Sequence, residues 1–275
     1  MDGKVAIQGI KGSFHHQVAT AQLGQTIEIL ECMTFEALAD AVAHQSADVG
    51  VMALENSIAG AILPNYALID KNQLHITGEY YLDIQQNLIA LPGQALSDIR
   101  EVHSHPMALL QCMDFLKSLP GVKLVEDEDT ALTAKRIREQ KLQGIAAIGS
   151  ALAADLYQLT LLERSIQNVK NNMTRFVVVE KGFANISEAD FDKVSLKFEL
   201  DHQAGSLANV LRIMQECDMN LTKIQSLPLV HTPWRYAFFV DAVFNRPETF
   251  ANALPQLEKQ TYQLKIIGTY KNGLV

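Results

Sequence analysis

The chain has 275 residues, 48% hydrophobic and 20% charged, the balance of a globular protein with a real core rather than a disordered chain. Its formal charge of −8 opposes nucleic acid or an anionic membrane as partner, because both require clustered Lys and Arg. No apolar run approaches the roughly 18 residues of a membrane helix, and "MDGKVAIQGI" has no basic start leading into an apolar core, so the expected location is the cytoplasm. Cys32, Cys112 and Cys217 are scattered without CxxC spacing inside apolar segments and read as buried thiols in a reducing compartment.

In chain order, "KVAIQGI" predicts a strand, Ser13 to Leu23 a helix closed by Gly24, "TIEILECM" a strand, Thr34 to about Gln45 a helix, and "DVGVMALE" a strand. This βαβαβ order, with strands apolar on both faces, implies a parallel sheet covered on both sides. A second α/β unit follows "LIALPG": "EVHSHP" into a helix over Met107 to Leu119, "VKLVEDED" into a helix over Thr130 to Gln140, and "GIAAIGS" into a helix over Ala151 to Tyr157. Two α/β lobes, approximately 1–80 with 170–182 and 81–169, leave a cleft where strand ends converge, a periplasmic-binding-protein-like arrangement. The polar stretch "KGFANISEADFDK" marks a boundary between residues 1–182 and 192–275. Beyond it, "VSLKFEL", a helix over Ser206 to Cys217, "LTKIQSLP", "YAFFVDAVF", a helix over Pro247 to Gln260 and "LKIIGTY" give βαββαβ, a ferredoxin-like α+β domain expected to fold alone.

Four segments offer chemistry. In "GIKGSFHHQVATAQLG", Gly9 and Gly12 permit a tight turn and Ser13 caps a helix whose first amides suit a carboxylate; the plain alternative is a capped strand-to-helix turn. In "VMALENSIAGAILPNY", Glu55, Asn56 and Ser57 stand where a buried strand ends, facing the cleft, or else Asn56 and Ser57 cap the next helix while Glu55 pairs with a cation. "VHSHPMALLQC" places Ser104 and His105 at a strand end before Pro106. His103 and His105 alternate across a strand, which opposes a shared metal. In "NNMTRFVVVE", Thr174 and Arg175 open a strand that crosses the cleft, where a buried hydroxyl must find a partner and an Arg can tie the lobes together.

Together these residues resemble prephenate dehydratase. Tyr157, Leu159, Leu162, Asn168 and "TRFVVV" match that family's signature, and "GSFHHQ", "LENSIAG", "SHPMALLQC" and "AAIGSALAADLYQL" follow its blocks in order, with Gly9-Ile10 where Gly-Pro is usual. The tail is similar to an ACT domain: "LTKIQSLP" keeps Leu221, Thr222, Lys223, Ile224, Ser226 and Pro228 of the effector motif, with Gln225 for Glu and Leu227 for Arg, and Gly205-Ser206-Leu207-Ala208 stands for Gly-Ala-Leu-Val.

The resemblance implies a carbon–oxygen lyase that converts prephenate to phenylpyruvate in L-phenylalanine biosynthesis, without metal or organic cofactor. Thr174 would carry the essential hydroxyl, with Glu55 completing proton delivery. Ser13, Asn56, Ser57, Ser104 and Arg175 would hold the substrate's carboxylates, or Arg175 would brace the hinge. L-phenylalanine would bind between paired tail domains at Ala204, Gly205, Ser206, Leu207, Asn220, Gln225, Ser226, Leu227 and Pro228, in a homodimer or homotetramer. Arogenate dehydration and non-catalytic amino-acid sensing by a two-lobed binding protein are the alternative readings.

Overall fold

The computed structural model describes residues 3–183, 190–228 and 236–274, so part of the polar stretch read as a boundary, 184–189, lies outside the described residues. In chain order the elements are β1 (Lys4–Gln8), α1 (Phe14–Leu23), β2 (Glu28–Cys32), α2 (Phe35–Ala43), β3 (Val49–Asn56), β4 (Gly60–Ala61), α3 (Leu63–Lys71), β5 (Leu74–Asp83), β6 (Asn87–Ala90), β7 (Glu101–Ser104), α4 (Pro106–Gln111), α5 (Met113–Lys117) and β8 (Lys123–Glu126). There follow α6 (Thr130–Gln140), β9 (Ile145–Gly149), α7 (Ala151–Leu156), β10 (Thr160–Glu163), β11 (Met173–Lys181), β12 (Lys193–Glu199), α8 (Ser206–Glu216), β13 (Asn220–Pro228), β14 (Tyr236–Val243), α9 (Pro247–Gln260) and β15 (Tyr262–Tyr270). Contacts divide the chain into two compact units, one of Met1–Leu38, Val51–Ala61 and Tyr81–Phe176, the other of Ala39–Gly50, Ile62–Tyr80 and Val177–Val275.

The first unit holds two sheets. One runs β11-β3-β1-β2, with β1 and β2 parallel as the βαβ pattern predicts. The other runs β10-β6-β9-β7-β8, parallel from β9 to β8 and antiparallel toward β10. Its inner strands β6 and β9 are buried at nearly every position because both of their faces are covered. Leu88, Ala90, Val102, Ala146 and Ile148 pack with Ala108, Leu109 and Leu116 of α4 and α5, whereas Ile89, Leu91 and Ala147 pack with Ala134, Ile137, Ala153 and Ala154 of α6 and α7.

Two local features depart from expectation. The helix expected over Met107 to Leu119 is broken at Cys112, whose φ of −109° and ψ of 12° leave the helical region. The break is filled from far away in sequence: Asn168 donates its backbone N–H to the Gln111 carbonyl at 2.7 Å, and its side-chain oxygen accepts from the Asp114 N–H at 3.2 Å. Likewise β3 does not run into a helix cap but turns back into β4, pairing Glu55 with Ala61 and Asn56 with Gly60.

In the second unit β12, α8, β13, β14, α9 and β15 form the ferredoxin-like order β13-β14-β12-β15, with antiparallel pairs throughout. Val194, Leu196 and Phe198 of β12 alternate inward onto Val210 and Met214 of α8 and Phe250 and Leu257 of α9. The opposite face of β12 is buried as well. There Lys193 meets Glu79 at 2.8 Å, with side chains 2% and 0% exposed, and Ser195 bonds Asp241 and Tyr270. The sheet also extends beyond its own four strands, because β15 pairs in parallel with β5 at Gly268 and Ile76. A Cβ on Gly268 would lie 2.4 Å from the Ile76 carbonyl oxygen, so only glycine permits that approach. Cys32 and Cys112 are buried as read, but Cys217, at the end of α8, is only half-buried.

Candidate active site

The site is built where β3 and β11 meet. Met173 and Ser57 exchange two bonds, Ser57 N–H to the Met173 carbonyl at 2.8 Å and Met173 N–H to Ser57 Oγ at 3.0 Å, which sets Asn56 beside Thr174. Asn56 Oδ1 accepts the N–H groups of Ile58 and Ala59 at 3.0 and 2.9 Å, closing the turn and fixing which end of the amide faces inward. Asn56 Nδ2 then donates to Thr174 Oγ1 at 2.8 Å and to Asn172 Oδ1 at 2.7 Å. Asn172 passes the polarity on, donating from Nδ2 to Gln111 Oε1 at 3.1 Å, where Gln86 Nε2 also approaches to 3.5 Å.

Thr174 is 7% exposed, and its oxygen is held as an acceptor. Its proton has no acceptor among the described residues, so the hydroxyl is poised to donate outward. Two residues on, Phe176 shares its face of β11 and packs edge-on against His15 at 4.9 Å, and Phe35 also meets the His15 ring edge-on, at 5.5 Å. Burial pulls the His15 imidazole down to about 3, so it is a neutral wall here and not an acid.

The serines read from the sequence have their protons committed elsewhere. Ser104 is fully buried and donates to the Ile148 carbonyl at 2.8 Å, stitching β7 to β9. Ser57 donates to the Asn171 carbonyl at 3.3 Å. Ser13 caps α1, accepting from His16 N–H at 3.3 Å and donating to the Gln8 carbonyl at 3.5 Å, while Gly12 N–H is taken by His16 Nδ1 at 3.0 Å. The Gly9 to Gly12 turn docks on α7 instead: Ser150 Oγ donates to the Gly12 carbonyl and Tyr157 OH to the Lys11 carbonyl, both at 2.6 Å. Asp129, the cap of α6, lies against the same turn, close enough that a Cβ on Gly9 would come within 2.9 Å of its Oδ2; burial raises its pKa.

Glu55 and Arg175 each precede or follow a cluster residue along a strand, and successive strand residues project to opposite faces. Glu55 thus diverges from Asn56, and Arg175, 3% exposed, diverges from Thr174. His103 lies between Glu101 and the Arg136 guanidinium, whereas His105 caps α4 by accepting from Met107 N–H. Sequence reasoning missed Gln111 and Asn172. Both stand inside quoted motifs, but their partners lie 61 and 116 residues away, and only a polar residue on an otherwise apolar short helix hinted at Gln111.

The buried Thr174 hydroxyl is thus held by an amide where a nucleophile would need a general base. The chain belongs to the prephenate dehydratase family, whose pattern matches residues 5–183. The bifunctional chorismate mutase/prephenate dehydratase of Buchnera aphidicola is 33% identical over 266 residues, 95% of this chain and 69% of that protein. The prephenate dehydratase of Arthrobacter aurescens, solved in complex with L-Phe, superimposes with a TM-score of 0.86 at 26% identity, over 98% of this chain and 90% of that one. A structure described as GqqA, a novel type of quorum quenching acylase, gives a TM-score of 0.88 at 30% identity, over 97% of both chains.

Proposed function

We propose that Thr174, with the amides of Asn56 and Gln111, carries out the reaction of this family, the decarboxylating dehydration of prephenate to phenylpyruvate on the route to L-phenylalanine. In that reaction the ring carboxylate leaves as carbon dioxide, its bonding pair enters the ring, and the hydroxyl across the ring departs as hydroxide, which takes one proton to become water. Aromatisation drives the change, so the protein need only hold the dianion and stabilise the departing oxygen. The observation that carries the assignment is the Thr174 hydroxyl, fixed as an acceptor by Asn56 with its proton left to donate. An alkyl hydroxyl is a weak acid; hydrogen bonding to the leaving oxygen is its role, and solvent supplies the proton that turns the departing hydroxide into water. Because Glu55 leaves β3 on the face opposite Asn56, we do not assign it proton delivery. Carboxylate binding falls to the outward N–H groups of Gln111 rather than to Ser13, Ser57 or Ser104, and Arg175 braces β11.

For regulation, the reading is an ACT domain over 192–275 that binds L-phenylalanine. Gly205, with φ of +90°, opens α8 beside Ala204, Ser206 and Leu207, which border a cavity of about 290 Å³ with Tyr236 and Phe238. Asn220, Gln225, Ser226, Leu227 and Pro228 lie on β13, the outer strand of its sheet, which supports pairing with a second copy there. Incubating the full chain with prephenate and with arogenate, and following phenylpyruvate and phenylalanine, tests the function. Phenylpyruvate from prephenate is expected. Turnover of arogenate alone would shift the reading toward its ammonium group, for which Asp129 is the acidic neighbour of the β1–α1 turn; turnover of neither would reject catalysis.

A further inference from the structure

Asn172 is the most completely engaged residue of the cluster. It is fully buried, and all four of its polar groups are used: backbone N–H to Asp83 Oδ1 at 3.2 Å, carbonyl from Ile84 N–H at 2.8 Å, Oδ1 from Asn56 and Nδ2 to Gln111. An amide's two ends are nearly the same shape, so orientation is decided by hydrogen-bond partners. Here the decision starts at two backbone groups that cannot be reversed. The N–H groups of Ile58 and Ala59 hold Asn56 Oδ1, so Asn56 presents Nδ2. Asn172 must answer with its oxygen, which leaves its Nδ2 toward Gln111, and Gln111 must answer with Oε1. The two N–H bonds of Gln111 are thereby turned away from the cluster, and they have no acceptor among the described residues.

We propose that Asn172 is a positioning residue that relays the polarity of the β3–β4 turn to Gln111, forcing the Gln111 amide to present donors to an anionic substrate while Asn56 holds Thr174 as a donor. The inference rests on the dehydratase reading. It assigns Asn172 no contact with substrate; it acts by preventing Gln111 from turning a carbonyl toward a carboxylate.

Asn172→Asp tests this with almost no change of shape. The introduced carboxylate, when ionised, still accepts from Asn56 but can only accept from Gln111, which must then reverse and show its carbonyl outward. The expected loss in kcat/KM is about a hundredfold, similar to that of Gln111→Ala, by the usual scale for one lost donor to an anion. The losses should not multiply: adding Gln111→Ala to Asn172→Asp should cost less than about threefold further, because both remove the same donor. Activity of the Asn172→Asp variant should also recover as pH falls, since a protonated carboxyl regains a hydrogen to give Gln111, while the wild type lacks that recovery. Wild-type kcat/KM in Asn172→Asp, or losses that multiply, would overturn the proposal. If that variant does not fold by thermal melting, Gln111→Glu asks the same question from the other side: its outward oxygen should cost about a hundredfold at neutral pH and recover on acidification, and a Gln111→Glu variant with wild-type kcat/KM would overturn the proposal. Thr174→Ala runs in parallel. If it stays active the dehydratase reading fails; if it is inactive while Asn172→Asp is normal, only the positioning role fails.

Discussion

The amide cluster around Thr174 and the charge cluster around Lys193 are both buried, yet they spend their hydrogen bonds differently. Around Thr174 the groups are neutral, each orientation is dictated by a neighbour, and donors on Thr174 and Gln111 are left over among the described residues. Around Lys193 the groups are ionised, and Glu79 closes the circuit with both of its oxygens on the ammonium and one also on Gly273 N–H. A site proposed to receive a dianion keeps donors unspent. A structural joint consumes everything it has, since a buried charge without its partner is strongly unfavourable.

Breaking the joint should give the largest effect on stability. Lys193→Met leaves Glu79 buried without its cation and should cost about 3–5 kcal/mol in urea unfolding, while the folded enzyme keeps its kcat at low temperature. Gly268→Ala attacks the same joint through geometry, pushing β15 off Ile76. It should destabilise by about 1–3 kcal/mol, the cost of overpacking, again with kcat preserved.

Smaller effects sharpen the difference at the site. Ser104→Ala should cost about 1–3 kcal/mol of stability by leaving the buried Ile148 carbonyl unpaired, with KM for prephenate changed less than about threefold. A large rise in KM with unchanged stability would restore Ser104 as a carboxylate ligand. Glu55→Gln should leave kcat within about threefold of wild type, because a residue outside the reacting geometry contributes little; a drop of a hundredfold or more would return proton delivery to Glu55. Smallest is the regulatory effect. Leu227→Arg restores a fork able to pair with carboxylates and should strengthen phenylalanine inhibition by a few-fold in inhibition titrations, with basal turnover unchanged.

Most of the architecture could be read from the chain. Apolar runs on β1 and β3 announced a sheet covered on both faces, and α6 and α9 occupy the expected residues, because hydrophobic period and caps act locally. The break at Cys112 could not be read, since nothing local forbids a continuous helix there and the groups that stabilise the break come from Asn168. The pairing of β15 with β5 was equally hidden, because an edge that looks free in a ferredoxin-like sheet is completed by residues nearly 200 positions earlier (Ile76 against Gly268). At the site, strand-end serines drew attention because short hydroxyls suit anions, but the same property makes them efficient caps and strand ties, and here their protons go to backbone carbonyls. The capacity to spare lies with Thr174 and Gln111, whose orientation depends on a chain of partners that no local pattern displays.

The most direct test is steady-state kinetics of Thr174→Ala beside Thr174→Ser, with prephenate as substrate and thermal melting as the control for folding. The Ala variant should lose about a hundredfold to a thousandfold in kcat with KM little changed, because the hydroxyl is needed more in the transition state than in the ground state, while Ser, which keeps the donor, should retain most of the rate. A folded Ala variant with near wild-type kcat would contradict the role given to Thr174 and to the amides that hold it.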